Sequence, residues 1–317
     1  MSAKSSTVLI PTFRRAQQLA ECLDALAKMD AMPSEVYVIW QGDDVATRDF
    51  VDAKAQLVPY RLHTLFSETK GIVPALNAGL KQARGEIVLI LDDDSVPRQD
   101  WLDRHLKHYE HPEVGLVGGL YLNWVNDIPL PRKPRKLIGR LTWYGRIIGN
   151  CYDLPDEWID RPPIAVDHVA GNNWSFRKAL VSEFEAKLRP YWQLFELDCC
   201  LGVKAQGKQV LFDHSNPIRH NPTNQVYVGT RAGNLEVKVA NAAFNYGYVL
   251  SKHSRGFQRM VRFMYLLFVG GTNTPGLFMI PRSTLIYKSL RMEIKAFAMT
   301  WRNVLAGWTA GRAARRL

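Results

Sequence analysis

Cysteine is scarce in this 317-residue chain: Cys22, Cys151, Cys199 and Cys200 are the only four, with no CxxC pair and no metal-ligand spacing. A disulfide framework and a cysteine-built metal site are thereby set aside, and the thiols are expected to be buried and reduced. The sequence also lacks GxGxxG and GxxxxGK[ST], so neither a dinucleotide fold nor a P-loop is signalled. No apolar run approaches the ~18 residues of a membrane span. The nearest, 263–271, has nine residues. The opening MSAKSSTVLIPTF runs straight into a short strand without the apolar stretch of a signal peptide, and the expectation is a cytoplasmic, non-spanning protein.

Acidic residues are scarce in one region only. From 221 to 317 there are 14 Lys or Arg against two acids, Glu236 and Glu293, whereas the first 220 residues carry 27 basic and 28 acidic groups. The formal charge of +11 thus belongs to the last third, which points to a surface partner and not to a basic fold. No nucleic-acid-binding motif accompanies the charge, so no nucleic-acid partner is expected. Hydrophobic content of 47% and charged content of 22% are ordinary for a globular protein, and the length allows one large domain or two.

What the chain does have is EIVLILDDDSVPRQDW at 86–101. Ile87 to Leu91 reads as a strand buried on both faces. Asp92, Asp93 and Asp94 follow at its carboxyl end, the edge where open α/β sheets bind ligands. Adjacent carboxylates there are costly unless compensated. A Mg²⁺ or Mn²⁺ ion holding a diphosphate would compensate them. The alternative is a solvated acidic turn, with Ser95 or Asp100 capping a helix over 101–109.

Strands are expected at 7–10, 36–40 and 61–65, alternating with helices over 14–29, from about Val45 and over 74–83. In the first helix Leu19, Cys22, Leu23 and Leu26 recur at helical spacing. This alternation predicts an α/β fold with a mostly parallel sheet and crossover helices. The stretch 126–150 reads as a loop rich in cations, among them Arg132, Lys133, Arg135, Lys136, Arg140 and Arg146, with Trp143 and Tyr144 between them. Two short strands around Gly171 precede a helix from Arg177, and Phe195 to Ala205 reads as helical. A strand at 210–212 leads into a loop ending in His220, and beyond Asn221 the chain turns helical and basic.

Four stretches in this order resemble family 2 glycosyltransferases: VLIPTFRR at 8–15, KGIVPALNAG at 70–79, GEIVLILDDDSVP at 85–97, and GNNWSF with FELD at 171–176 and 195–198. The resemblance covers roughly 7–220. It implies a single glycosyltransferase A-type domain with a mostly parallel central sheet flanked by helices. Residues 1–110 would be the nucleotide-sugar half, 111–220 the acceptor half with the catalytic acid, and 221–317 a basic, amphipathic helical extension. The implied reaction is inverting transfer from a nucleotide-diphosphate sugar to a hydroxyl of a glycan or lipid-linked glycan, as in bacterial polysaccharide synthesis. By motif position, Pro11, Thr12, Phe13, Arg14, Gly71, Asn77, Asp92 and Asp93 would bind the donor. Asp94, Asp92 and His220 would hold the divalent cation at a DXD-type motif.

Inversion also requires a base to take the acceptor's proton. Aligning on Asp198 puts Glu196 at that position; aligning on Glu196 as the first acid leaves Asp198. Glu196 is the preferred base; the alternative is that both are helix N-terminal acids favoured by the macrodipole. Two departures stand out. Trp40 occupies a strand end where relatives often carry a base-contacting Asp, with Asp43 or Asp44 as substitutes after a shifted turn. Gly202 replaces an arginine common in relatives.

Beyond the motifs, Phe257, Met260, Val261, Met264, Leu267 and Phe268 form one apolar stripe, and Leu290, Ile294, Phe297, Trp301, Val304 and Trp308 another. Arg255, Arg259, Arg262, Lys288, Arg291, Lys295 and Arg302 accompany them. Such helices suit an anionic membrane interface, here over 255–308 and on the inner face of the cell membrane, or else pack on the protein's own core. Other readings of the whole are a nucleotidyltransferase, which would have no use for Glu196, and a non-catalytic membrane-associated scaffold on the same fold.

Overall fold

The computed structural model describes residues 4–133, 135, 137–149, 151, 154, 156–158, 161–190, 193–222, 235–271, 274–280 and 290–315. Lys136 and Lys288 lie outside them, as do the side chains of Leu290 and Arg291. The chain forms two compact units. One comprises Met1–Gly139, Gly149–Phe184 and Cys199–Asn224; the other comprises Arg140–Ile148, Glu185–Asp198 and Gln225–Leu317.

The first unit opens with β1 (Ser6–Pro11), α1 (Ala16–Leu26), β2 (Glu35–Gln41), α2 (Val45–Lys54), β3 (Leu62–Ser67), α3 (Ile72–Gln82) and β4 (Ile87–Leu91). Strands β1, β2, β3 and β4 pair in parallel in the order β4-β1-β2-β3, so their carboxyl ends share one edge of the sheet. All five residues of β4 are fully buried, which is why its sequence is apolar without alternation. Leu19, Cys22, Leu23 and Leu26 turn inward from α1 onto this sheet, as their spacing predicts.

The chain then continues through β5 (Ser95–Val96), α4 (Trp101–His108), β6 (Val114–Val125), β7 (Ile128–Pro129), β10 (Ile164–Ala165), β11 (Asn173–Arg177) and β12 (Gln209–His220), while β8 (Arg140–Leu141) and β9 (Ile147–Ile148) belong to the second unit. Strand β11 inserts antiparallel between β4 and β6, and β12 runs parallel to β6. The Asn173 amide clamps these pieces. Its Oδ1 accepts from Trp101 Nε1 at 2.8 Å, and its Nδ2 donates to the Leu120 and Asn216 carbonyls at 2.9 and 3.0 Å. Next to it, burial pushes the His105 imidazole down to about 4, so the ring is neutral at physiological pH.

Three local expectations are corrected. Arg177 does not start a helix: it ends β11, its guanidinium donates to the carbonyls of Val114, Tyr109 and His111, and only a short 3₁₀ turn follows at Lys178–Leu180. Asp100 occupies the N-cap of α4 without making a cap hydrogen bond, because its carboxylate accepts from Arg104 Nε at 2.6 Å. His220 lies in a strand and not in a loop. The apolar pattern breaks at Asp213, but β12 absorbs the break as a register irregularity between Asp213 and Ile218 and resumes to pair His220 with Ser95 and Asn123.

The second unit contains the hairpin β8 (Arg140–Leu141) and β9 (Ile147–Ile148) and the helices α6 (Leu235–Lys252), α7 (Gly256–Phe268) and α8 (Leu290–Ala314), with the small pair β13 (Gly270–Gly271) and β14 (Thr274–Pro275). Helix α5 (Phe195–Ala205) begins in this unit. Trp301, Val304 and Trp308 of α8 are buried against Ala243 and Leu250 of α6 and Leu266 of α7, with Phe297 packed alongside. The α8 stripe expected at a membrane is therefore largely core. Among the described residues no helix is long and apolar enough to cross a membrane.

Glycine sets the approach of α6 to α8. A Cβ at Gly307 would fall on the Phe244 carbonyl, and one at Gly311 on the Tyr248 carbonyl. Because backbone and not a flexible side chain would be struck, Gly307→Ala is expected to cost about 1–3 kcal/mol and lower the thermal midpoint. A variant that melts like the wild type would show that α8 can withdraw without loss.

Candidate active site

The shared carboxyl edge of β1, β2 and β4 gathers Pro11–Arg15, Gln41 and Asp92–Asp94. Asp93 and Asp94 are buried, and Asp92 is partly so. Thr12 Oγ1 donates to Asp93 Oδ2 at 2.7 Å. Arg15 Nη1 donates to both Asp93 Oδ1, at 2.9 Å, and Asp94 Oδ2, at 3.1 Å. The sequence reading missed this arginine. Its neighbour Arg14 turns outward instead, with φ +56°, its N–H bonded to Asp44 Oδ2 at 2.5 Å and its guanidinium paired with exposed Asp43. Arg14 and Lys70 flank the Phe13 ring at 5.1 and 5.2 Å.

The β12 irregularity delivers His220 to this edge. Its Nε2 lies 3.2 Å from Asp94 Oδ1, and its Nδ1 lies 2.7 Å from Asn123 Oδ1. An oxygen acceptor at Nδ1 keeps the proton there, so in the neutral ring the Nε2 lone pair faces carboxylates. A cation or a proton resolves that opposition. The ligand atoms of Asp92, Asp94 and His220 all fall within 4.8 Å of one another. Asp94 Oδ1 is buried without an aligned hydrogen bond among the described residues. Two carboxylates and one imidazole fit a divalent cation.

The electrostatics agree with that fit. Burial, reinforced by the charge of Asp94, pushes the Asp92 carboxyl up to about 7. Burial likewise raises Asp93 to about 6, although Arg15 opposes it. Burial would raise Asp94 too, but His220 and Arg15 outweigh it and hold this carboxyl below the ordinary range. Three adjacent carboxyls thus do not ionise freely together, and positive charge delivered to them relieves the strain.

Other residues singled out by sequence have mixed placements. Gly71 caps α3 at φ +133°, a conformation that needs glycine, and its N–H donates to Gln41 Oε1 at 2.5 Å. Asn77 spends both ends of its amide on the Phe184 backbone, at 2.9 and 2.7 Å, which anchors α3. Trp40 stacks obliquely on Phe66. Asp44 is buried and committed to Arg14 and Thr47, leaving Asp43 as the exposed acid of that turn. At Gly202 a Cβ would meet nothing within 4 Å, so packing does not dictate glycine there.

In the second unit, Glu196 and Asp198 fall in the first turn of α5, just after Leu194 at φ +75°. Asp198 is buried, and both its oxygens are engaged: Oδ2 by Lys252 Nζ and Oδ1 by His253 Nε2, each at 2.8 Å. Lys252 also donates to Glu185 at 2.8 Å. Burial would raise Asp198, but His253 and Lys252 hold it below its usual value. Glu196 is half-buried. Sequence spacing alone gives no sign of the Lys252–His253 clamp, whose members lie some fifty positions further along the chain.

Over 115 residues the chain is 30% identical to the glycosyltransferase AglE of Haloferax volcanii, covering 36% of this chain and 38% of that one. A Methanococcus voltae protein named dolichyl N-acetyl-alpha-D-glucosaminyl phosphate 3-beta-D-2,3-diacetamido-2,3-dideoxy-beta-D-glucuronosyltransferase is 28% identical over 202 residues, 56% of this chain and 61% of its own length. The chain therefore spans less than two thirds of either relative. Its fold is similar to that of the mannosyltransferase PcManGT from Pyrobaculum calidifontis in complex with GDP-Man and Mn²⁺, with TM-score 0.61 and 17% identity over 98% of this chain and 88% of that chain. It is similar also to S. aureus TarS 1–349 in complex with UDP-GlcNAc, with TM-score 0.59 and 14% identity over 98% and 90% of the two chains. The family model for glycosyl transferase family 2 matches residues 7–177, more than half of the chain and inclusive of the acidic strand end. With that match and the glycosyltransferase A-type fold, the protein belongs to glycosyl transferase family 2.

Proposed function

We propose that the protein transfers a sugar from a nucleotide-diphosphate donor to a hydroxyl of a glycan acceptor, with inversion and with a divalent cation. The observation that carries this reading is the convergence of Asp92, Asp94 and His220 at the carboxyl edge of the sheet. An imidazole beside two carboxylates suits Mn²⁺ better than Mg²⁺. When bound, such a cation supplies Lewis acidity toward the departing diphosphate. Arg15, already on Asp93 and Asp94, adds a fixed positive charge on the same edge. Pro11, Thr12, Phe13, Arg14 and Gly71 lie at or beside that edge and are assigned to the nucleotide. Asp93 holds Thr12 and Arg15 in register for it.

Glu196 is assigned as the base. As the acceptor oxygen bonds to the anomeric carbon, Glu196 takes its proton and the bond to the diphosphate breaks, so the nucleotide diphosphate leaves with the electron pair. Asp198, held ionised by Lys252 and His253, is assigned to positioning the first turn of α5. The dolichyl-linked substrate in the name of the Methanococcus voltae relative supports a lipid-linked glycan acceptor, and with it a place at a membrane surface.

The expected result with the purified chain is binding and slow hydrolysis of one member of a UDP-, GDP- and TDP-sugar panel in the presence of Mn²⁺, lost on chelation. If no member of the panel binds or is hydrolysed, while a control transferase works under the same conditions, the reading fails.

A further inference from the structure

Helix α7 carries an apolar stripe that the described residues of the second unit leave uncovered. Arg262 and Leu266 are buried on one face, whereas Phe257 is 66% exposed, Met260 54% and Met264 42% on the other. Two aromatic side chains lengthen the stripe. Trp143, at the tip of the β8–β9 hairpin and 55% exposed, has its ring 6.2 Å from that of Phe257. Phe278, 69% exposed, lies 5.4 Å from Phe268. Separate sequence features, the aromatic pair among the 126–150 cations and the α7 stripe, thus merge into one surface. Contiguous exposed aromatic and methionine side chains on a rigid helix mark a docking face.

Charge identifies the occupant. Between Glu236 and Glu293 the sequence holds no Asp or Glu at all. Arg255 caps α7 and Arg259 falls in its first turn, where cations oppose the helix dipole. Arg315 is close enough that, after burial, the charges of Arg255 and Arg259 hold it below its ordinary value. Arg146 is exposed on the hairpin. Among the described residues none of these four arginines is paired with a carboxylate, while the acids of this unit with described ion pairs, Glu185 and Asp198, are taken by Lys252 and His253. A second copy docked through the same face would bring the same arginines and, from 237–292, no acids to the contact. A planar surface that is apolar below and anionic at its rim satisfies both features.

We propose that the outer face of α7, with Trp143 and Phe278 at its two ends, docks on an anionic lipid bilayer, the arginines around the α7 start meeting the headgroups. This deepens the membrane placement offered above and makes no use of the transfer chemistry, so the two stand or fall on different readouts.

The test is sedimentation of the full chain with phosphatidylcholine vesicles, with and without phosphatidylglycerol. Binding is expected to be about tenfold stronger on the anionic vesicles and to weaken with salt. Phe257→Ser with Met260→Ser should lower binding to both vesicle types, and Arg146→Glu with Arg255→Glu should erase the preference for the anionic ones. All four side chains are exposed, so unchanged melting curves and unchanged donor hydrolysis are expected as controls. The proposal is overturned if the wild type stays in the supernatant with both vesicle types, or if both double variants bind as it does. It is equally overturned if light scattering finds a dimer that Phe257→Ser with Met260→Ser dissolves, since the face would then join two copies.

Discussion

Asp94→Asn is expected to lower sugar transfer about a thousandfold and to weaken Mn²⁺ binding in parallel, without loss of fold. The reasoning rests on what the two side chains share and where they differ. Asparagine has the shape of aspartate, so the buried position beside Arg15 and His220 stays filled. What disappears is the charge, and with it one of the two carboxylate oxygens available to a cation. A purely structural carboxylate would show the reverse pattern, because removing one partner of a buried ion pair is normally destabilising. Here the charge of Asp94 also raises Asp92, so neutralising it relieves that repulsion and offsets part of what is lost with the Arg15 and His220 pairs; the melting temperature is expected to fall without loss of the folded state. Calorimetry with Mn²⁺, a melting curve and initial rates on the same preparation separate the cases. Full activity in the variant would remove Asp94 from the metal site.

The second large effect separates the two acids of α5. Glu196→Gln is expected to reduce turnover by about 10²–10⁴, while donor affinity and melting temperature remain near wild type. Asp198→Asn should do the opposite, costing about 3 kcal/mol of stability, because Lys252 and His253 lose the buried carboxylate that both contact. Lys252 keeps Glu185, which tempers the loss. The pair of variants is informative because the two positions share a helix turn, so a general disturbance of α5 would affect both alike. If Asp198→Asn abolishes turnover with an unchanged melt and Glu196→Gln is silent, the roles are exchanged.

These residues also show where sequence is a good guide and where it is not. The five-residue apolar run before the aspartates could be read as a strand buried on both faces because neither face needs polar residues. The first helix followed from a spacing that has one physical meaning. Arg15 was invisible for a different reason. Its reach to Asp93 and Asp94 depends on Arg14 adopting φ +56° and on its own non-helical backbone, and composition does not encode dihedral angles. The His220 strand was missed because Asp213 to Pro217 breaks the apolar pattern, and only pairing with β6 and β5 reveals that the chain resumes its course. The two tail stripes had equal claims by periodicity, which identifies an apolar face without naming what covers it. Gly247, Gly307 and Gly311 were the overlooked sign that one of them is covered by helix α6. Asn173 was noticed only as part of a motif, whereas its amide holds α4, β6, β11 and β12 together.

The Arg15 guanidinium, lodged between two of the three strand-end acids, is a built-in counter-ion, so the polypeptide carries its own partial substitute for the metal. Chelation should then silence this protein while leaving it standing, in contrast to small zinc domains that collapse when stripped.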